Sequence, residues 1–320
     1  MRYLLKRFIH ALFLLVGVSI LSFVFTALAP GNYFDEMRLN PQISPDTVTA
    51  LRAHYGVDRP VVVRYARWLE SVAHGDLGFS FAYNTPAAPL LWARAWNTLL
   101  LTVTATLISW LIALPLGIWS AERKARGPDV AITAATGLLL SMPDLLLALG
   151  LLIFAVRTGW FPTGGMVSVG SESLSWLARI RDLFLHMALP VAALVLSTIP
   201  LLVRHVRSAM AGVLGSGFLR AAQAHGIPRR TILYRYALPA AAHPLISLFG
   251  FSLGALLSGS LIVEVVMSWP GLGPLLLEAI LARDLYLVIG GVMLSTIFLV
   301  IGNFIADLIL YWADPRIRTS

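Results

Sequence analysis

The chain has 320 residues, of which 58% are hydrophobic and 12% are charged, and its formal net charge is +8. A mean hydropathy of +0.79 is typical of a polytopic membrane protein and excludes an ordinary soluble fold. The chain contains no cysteine, which excludes disulfides, iron–sulfur clusters and thiol catalysis. The positive charge does not indicate nucleic-acid binding, because no basic patch with interleaved aromatic residues occurs.

Six apolar runs are long enough to cross roughly 30 Å of hydrocarbon. They lie near residues 8–29, 97–119, 130–156, 187–206, 245–266 and 287–310. The sequence therefore predicts an all-α membrane protein with six transmembrane helices. The first run ends in Ala27-Leu-Ala29, as a cleavable signal peptide does, but it exceeds a signal core of about 7–15 residues. Pro30 follows it directly, so we expect an uncleaved helix.

Basic residues set the predicted orientation. Outside the long 30–96 segment, most Lys and Arg residues lie in the N-terminal tail, the 120–129 loop, the 204–243 segment and the C-terminal tail. The positive-inside rule then places both termini in the cytoplasm. The predicted organisation is an N-terminal tail and first span (1–29), an extracytoplasmic segment (30–96) and a transmembrane core (97–320) with a cytoplasmic loop at 207–243.

The predicted outer segments contain recognisable local signals. Ser44-Pro-Asp-Thr47 is typical of a helix start, and Gly56 of its end, so the 30–96 segment is predicted to form a small α-rich cap. Gly75-Asp-Leu-Gly78 predicts a turn before an extended piece. Apolar spacing over residues 174–184 suits a short interfacial helix. Trp269-Pro-Gly-Leu-Gly273 predicts a tight turn, with a short helix after it.

The predicted cytoplasmic loop has the sequence Phe218-Leu-Arg-Ala-Ala-Gln-Ala-His-Gly-Ile-Pro-Arg-Arg230. Gly215-Ser-Gly217 interrupts the preceding apolar helix, and Gly226-Ile-Pro228 is a helix stop followed by a proline suited to a new first turn. Two short helices joined at Gly226 are therefore expected. Taken alone, this pattern also fits an ordinary cytoplasmic hairpin.

This loop resembles the cytoplasmic loop of permease subunits in binding-protein-dependent ABC importers, which is centred on a Glu-Ala-Ala and Gly motif. Here Arg220 stands in place of the Glu, which is similar to the dipeptide, oligopeptide and nickel branch. The resemblance covers the whole chain. Further similar elements are Gly75-Asp-Leu-Gly78, Ser141-Met-Pro143, Gly159-Trp-Phe-Pro162, Leu185-His-Met-Ala-Leu-Pro190, Trp269-Pro-Gly-Leu-Gly273, Ala282-Arg-Asp284 and Asp314-Pro-Arg316. Gln223 and His225 depart from the basic residues usual in that branch.

The resemblance implies a type I ABC importer permease fold in the inner membrane of a bacterial cell. It also implies a second homologous permease subunit, two ABC ATPase subunits and an extracytoplasmic solute-binding protein as partners. The expected solute is a dipeptide, an oligopeptide or a nickel complex. No Gly-Lys-Ser or Gly-Lys-Thr phosphate loop occurs in the chain, so ATP hydrolysis is expected in separate subunits. No cofactor, metal or catalytic residue is predicted.

The resemblance assigns the ATPase-coupling role to the loop. Its predicted coupling residues are Phe218, Arg220, Ala221, Ala222, Ala224, Gly226 and Pro228. In this interpretation small residues let the first short helix seat closely in an ATPase cleft, while Phe218 and Leu219 provide apolar anchors. Arg229, Arg230 and Arg235 are interpreted as orientation determinants and lipid contacts rather than as ligands of a partner.

Two further sets of residues have alternative interpretations. Asp144 follows Pro143 near the middle of the third run, where a carboxylate facing lipid is costly. It is predicted either to line the translocation path, attracting a peptide amino group or a metal cation, or to cap a helix at the Pro143 break. Glu264, Trp269 and Gly271 are predicted to face the receptor, with an interfacial position and a purely structural turn as alternatives.

Two other classes of protein remain as alternatives. An ion-coupled secondary transporter would more often show charged residues within its spans and inverted repeats of broken helices, and only Asp144 fits that pattern. An intramembrane hydrolase would need a nucleophile and a base, but neither a His-Glu-x-x-His nor a Gly-x-Ser-x-Gly motif occurs. The permease interpretation therefore accounts for more of the chain.

Overall fold

The computed structural model describes residues 2–29, 31, 33–38, 42–56 and 58–313. The terminal Asp314-Pro-Arg316 element and Pro30 lie outside these residues. The chain divides into two compact units. Unit 1 comprises Met1–Thr98 and Pro270–Phe298, and unit 2 comprises Leu99–Trp269 and Leu299–Ser320. The two units are defined by which residues pack together. The division of the chain into a first span, an outer segment and a membrane core, with boundaries at residues 29 and 96, stays a prediction.

The described residues of unit 1 form helices and one short antiparallel ladder. Its helices are α1 (Arg2–Leu28), α2 (Tyr33–Met37), α3 (Pro45–Tyr55), α4 (Val61–Ala73), α14 (Leu272–Leu281) and the N-terminal parts of α5 (Ala87–Glu122) and α15 (Leu285–Ala313). The ladder pairs β1 (Phe79–Ser80) with β2 (Thr85–Pro86), so that Phe79 lies opposite Pro86. It follows Gly75 and Gly78, which both adopt positive φ, and the predicted turn and extended piece are thus confirmed.

Helix α3 forms as its terminal residues predict. The Ser44 side chain accepts a hydrogen bond from the Asp46 N–H at 3.3 Å, and Gly56 ends the helix in the left-handed conformation at φ 63°. A serine cap satisfies one of the free N–H groups of the first turn. Glycine at the end adopts positive φ without a steric cost.

Helix α4 packs against α1. Trp68 is 3% exposed, and its ring lies 5.3 Å from that of Phe23. The Tyr65 hydroxyl lies 2.9 Å from the Ser19 Oγ. Val62, one turn before Tyr65, is 78% exposed. The helix is therefore amphipathic, with an aromatic face against α1.

Unit 2 contains the remaining helices. They are α6 (Gly127–Leu140), α7 (Asp144–Thr158), α8 (Trp176–Leu214), α9 (Gly217–Ala224), α10 (Arg229–Thr231), a π-helix (Ile232–Ala237), α11 (Leu238–Ala240), α12 (Ala242–Gly259) and α13 (Leu261–Val266), with the C-terminal parts of α5 and α15. A buried cluster that includes Leu101, Leu194 and Trp269 forms its main core.

Four described helices are long and apolar enough to cross a membrane unbroken, namely α1, α5, α8 and α15. Two bent helix pairs bring the number to six if each pair is counted as one span: α6 and α7 meet at 94°, and the 229–240 segment meets α12 at 64°. The run predicted over 130–156 thus forms two helices with a sharp bend between them. Pro143 explains the break, because proline lacks an N–H and disfavours helical geometry in the residue before it. The prediction of a separate helix over 174–184 is wrong, since α8 runs on from Trp176.

Glycines allow α12 and α15 to approach closely within unit 2. A Cβ atom added at Gly250 would collide with Ala306, and one added at Gly254 would collide with Leu299. These two glycines are four residues apart and form a G-x-x-x-G pattern, which lets membrane helices pack backbone to backbone. This G-x-x-x-G pattern is visible in the sequence, and it could have predicted a close helix pair that the prediction of the spans did not include.

Candidate functional site: the α9 loop

Helix α9 is a two-turn helix that begins directly after the end of α8. Its Arg220 side chain reaches back, and Nη2 donates a hydrogen bond to the carbonyl oxygen of Gly215 at 2.8 Å. Gly215 is the residue that ends α8, where helix carbonyls lack a partner within the helix. Arg220 therefore connects α9 to the end of α8, a structural role that the motif comparison did not predict.

Gly226 ends α9 with a complete helix stop. Its φ is +75°, its N–H donates to the Gln223 carbonyl at 3.0 Å, and the Ile227 N–H donates to the Ala222 carbonyl at 3.3 Å. This pair of bonds around a left-handed residue is the Schellman motif. The predicted helix stop at Gly226 is thus confirmed. Pro228 follows and immediately precedes α10.

The two faces of α9 differ sharply in burial. Leu219 is fully buried at 0% exposure, in a cluster with Met210, Ile232 and Leu233. Phe218 is 53% exposed. The prediction that both side chains anchor a partner is therefore wrong for Leu219, which fixes α9 to its own unit. Phe218 remains available on the surface.

The small residues of the loop lie mainly on the exposed side. Ala221, Ala224, Gly226 and Pro228 are exposed, and Ala222 is half-buried. A helix that offers small side chains beside one exposed aromatic ring can approach another protein closely. The structure thus places the predicted coupling residues together on one short, firmly held element.

The segment after the loop is tied to α5. The Arg229 Nε lies 2.5 Å from the Glu122 Oε1, at the end of α5. Arg229 therefore forms an ion pair with Glu122. This contact was not part of its predicted role, which was to orient the chain in the membrane and to contact lipid. The pair is exposed on the Arg229 side, so its contribution to stability is small, about 0–1 kcal/mol, but it fixes where the 229–240 segment begins.

A buried ion pair lies between α6 and α8, and sequence reasoning missed it. Asp129 is 3% exposed. It accepts bonds from Arg207 Nε at 2.6 Å and Nη2 at 2.8 Å, from the Ser120 hydroxyl at 2.5 Å and from the Ala125 N–H at 2.8 Å. Such a forked arrangement is the strongest geometry for an arginine–carboxylate pair. It holds the α5–α6 turn against α8.

Asp144 is the first residue of α7, directly after Pro143. Both residues are exposed within the single chain. Pro143 occupies the cap position without a side-chain capping bond, so Asp144 acts as a first-turn carboxylate that interacts favourably with the positive end of the helix dipole. Asp144 lies at the 94° bend between α6 and α7. Its role in the translocation path stays a prediction. In the described part of the chain, no group of three or more His, Asp or Glu residues is arranged to hold a metal ion.

Glu264 and Trp269 are both fully buried, at 0% exposure. Glu264 accepts a bond from the Ser260 hydroxyl at 3.0 Å, and its backbone carbonyl accepts the Trp269 N–H at 2.8 Å. Gly271 is also buried and precedes α14. These positions correct the receptor-facing prediction: a receptor does not reach these side chains unless the turn rearranges. The structural interpretation of the turn fits the observed burial.

The family models match both parts of the chain. Residues 113–319 match the model for the inner membrane component of binding-protein-dependent transport systems, and residues 1–102 match the N-terminal model of the same component. The fold and the loop thus define a permease subunit of an ABC importer. The chain belongs to this family of binding-protein-dependent inner membrane components, in its peptide branch.

Individual relatives agree with this assignment. The chain is 34% identical over 318 residues to an oligopeptide transport system permease of Bacillus subtilis, covering 99% of each chain. It is 34% identical to a putative peptide permease of Brucella ovis, with full coverage of both. A solved structure of the MetNI methionine ABC transporter in an inward-facing conformation has a TM-score of 0.55 at 20% identity. It covers 70% of this chain and 96% of that one, and it shows the fold alone.

Proposed function

We propose that this chain is one of two related permease subunits that move a di- or oligopeptide into the cytoplasm. A solute-binding protein delivers the peptide outside, and two separate ATPases drive the transport. The names of the relatives support a peptide as the solute. They give no support to a nickel complex, and the family assignment gives none to an ion-coupled carrier. Both termini and the α9 loop lie on the cytoplasmic side in this proposal.

The observation that carries the coupling role is the two-faced structure of α9. Its exposed side offers Phe218 and Ala221 to an ATPase, and its buried side fixes Leu219 in a cluster with Met210 of α8 and Ile232. A force on α9 is therefore shared with α8 and with the 229–240 segment. A movement of α9 caused by an ATPase would therefore be transmitted to the membrane helices of its unit.

Cross-linking tests this contact directly, since the chain has no cysteine of its own. A photoactivatable maleimide on Ala221→Cys in the purified complex should capture an ATPase subunit, identified by mass spectrometry. Ser173→Cys is the matched control, because Ser173 is exposed and lies in a connection predicted on the opposite side. If the ATPase co-purifies but Ala221→Cys captures none of it, the assignment of α9 fails.

The left-handed Gly226 gives a second test. A β-branched residue at φ +75° is strained by roughly 1–2 kcal/mol, so Gly226→Val should distort the end of α9. We expect peptide-stimulated ATP hydrolysis of the reconstituted complex to be lost while membrane insertion is unchanged. Gly226→Asn is the control that keeps activity, because asparagine tolerates this conformation. Normal transport by Gly226→Val would disprove the coupling role.

Asp144 is assigned to the translocation path in this proposal. Asp144→Asn removes the charge but keeps the shape, and it costs the first turn of α7 only about 0.3–1 kcal/mol. We expect peptide uptake by the reconstituted importer to fall, with unchanged thermal stability. Unchanged uptake would leave only the role in the first turn of α7.

A further inference from the structure

We propose that a basic cavity in unit 1 binds the phosphate group of an anionic membrane phospholipid. The cavity has a volume of about 210 Å³. Its lining includes three arginines (Arg59, Arg64 and Arg67), Trp68, Asp76 and Tyr286. Three guanidinium groups thus face one carboxylate, and the cavity carries a net positive charge.

Most of the donors of this cavity have no acceptor within the described chain. Among the described residues, Arg59, Arg64 and Arg67 form no salt bridge, whereas Arg52 pairs with Asp35 and Asp58. The carboxylate of Asp76 accepts the Gly78 N–H at 2.9 Å.

Trp68 supplies an independent indication. Its side chain is 3% exposed, and its buried indole N–H has no hydrogen-bond partner among the described residues. A buried donor without an acceptor costs about 1–3 kcal/mol. Trp68 lines the cavity with other atoms of its ring, so a phosphate oxygen supplies that acceptor once the ring turns its N–H toward the cavity. Arginine forks bind phosphate oxygens in pairs, so the donor set suits a phosphate better than a single carboxylate.

The location of the cavity favours a lipid as the source of the phosphate. Helix α4 carries Arg64, Arg67 and Trp68 and packs on α1 through Phe23. Phe23 lies in the apolar part of a helix long enough to cross a membrane. An amphipathic helix with arginines and a tryptophan at this depth is typical of the membrane interface. The exposed Val62 then faces acyl chains.

A second cavity in unit 1 lies beside the first one. It has a volume of about 540 Å³ and shares Arg64 with the smaller cavity. Its lining includes the apolar side chains of Phe25, Ile280, Leu285 and Val288, together with Arg283. A charged cavity beside a larger one with apolar walls suits the two halves of a phospholipid.

Native mass spectrometry of the complex in mild detergent tests this proposal, with added phosphatidylglycerol or phosphatidylcholine of the same acyl chains. We expect phosphatidylglycerol to bind preferentially. Arg64→Gln/Arg67→Gln should weaken its binding about tenfold, equivalent to about 1.4 kcal/mol. Arg157→Gln/Arg181→Gln removes two exposed arginines of unit 2 and should leave binding unchanged. Trp68→Phe, which keeps an aromatic ring but removes the N–H, should give a smaller loss.

Several outcomes would overturn the proposal. Equal binding by the Arg64→Gln/Arg67→Gln variant and the control variant would show that the cavity does not hold the lipid. Displacement of phosphatidylglycerol by inorganic phosphate at the same concentration would indicate a site for free phosphate. Unchanged lipid binding with weaker capture of the solute-binding protein would indicate an acidic surface of that protein as the ligand. Thermal unfolding without added lipid confirms that each variant is folded.

Discussion

Each unit contains a buried aspartate that holds a turn, and the two aspartates are satisfied in different ways. In unit 2, Asp129 accepts bonds from Ser120, from a backbone N–H and from the Arg207 guanidinium. In unit 1, Asp284 is 0% exposed and accepts bonds from the Ser80 hydroxyl at 2.8 Å and the Ala82 N–H at 3.0 Å. The first site has a counterion, whereas the hydroxyl and backbone N–H donors of the second are neutral.

The position of Asp284 explains how its buried carboxylate is stabilised by neutral donors. It directly precedes α15, and its second oxygen accepts the Leu287 N–H at 3.4 Å, as a helix-capping aspartate does. The positive end of the helix dipole stabilises the carboxylate further. A buried carboxylate is thus held either by one strong counterion or by several neutral donors that must all be present. The two sites should therefore respond differently to substitution.

The largest effect is expected for Asp129→Asn, because it leaves Arg207 without its counterion. Breaking a buried pair costs 3–5 kcal/mol, and since the Arg207 side chain is 31% exposed, we expect about 3 kcal/mol. Thermal unfolding in detergent, followed by tryptophan fluorescence, measures the loss. The double variant Asp129→Asn/Arg207→Gln should be at least about 1 kcal/mol more stable than the sum of the losses in the two single variants predicts. If the double variant is as unstable as the two single losses added, the charge pairing is not the cause.

A smaller effect is expected for Asp284→Asn. Asparagine still caps α15, but its amide group replaces one of the two accepting oxygens, so one bond to Ser80, Ala82 or Leu287 is lost. We expect a loss of about 1–2 kcal/mol by the same unfolding measurement. Asp76→Asn is the control, since Asp76 is exposed and accepts one backbone bond. Equal losses in Asp284→Asn and Asp76→Asn would mean that burial adds nothing at residue 284.

The two serines compare the two sites most directly, and the smallest effect of all is expected for Ser120→Ala. Ser80→Ala removes a donor to Asp284 and also the acceptor of the Tyr83 N–H, so we expect a loss of about 2 kcal/mol. Ser120→Ala leaves the Arg207 fork on Asp129 intact, and we expect about 1 kcal/mol. Thermal unfolding of Ser80→Ala and Ser120→Ala under identical conditions gives the difference between their losses of stability. Equal or reversed losses would contradict the distinction between a counterion and neutral donors.

Local signals in the sequence predicted the corresponding parts of the structure. Ser44 and Gly56 bound α3 as predicted, because capping side chains and left-handed glycines act on the nearest turn. Gly226 ends α9 for the same reason. The class of protein followed from apolar run lengths together with motifs spread along the whole chain. Each of these signals is readable from a few neighbouring residues.

Contacts between distant residues were not predictable in the same way. Asp129 and Arg207 are 78 residues apart, and Ser80 and Asp284 are 204 apart, so no local spacing relates the members of either pair. The burial of Leu219 and Glu264 depends equally on which helices pack around them. The bend before α7 is an intermediate case: Pro143 marks its position, but the 94° angle depends on the packing of both helices.

The π-helix Ile232–Ala237 sets the phase of the helix that follows it. A π-turn closes its ring with one residue more than an α-turn, and one residue corresponds to about 100° of rotation around an α-helix. Side chains after Ala237 therefore point about a quarter-turn away from where an uninterrupted α-helix would direct them. The face that α11 presents to its neighbours is thus chosen by the ring size of a single six-residue stretch, before the 64° bend that leads into α12.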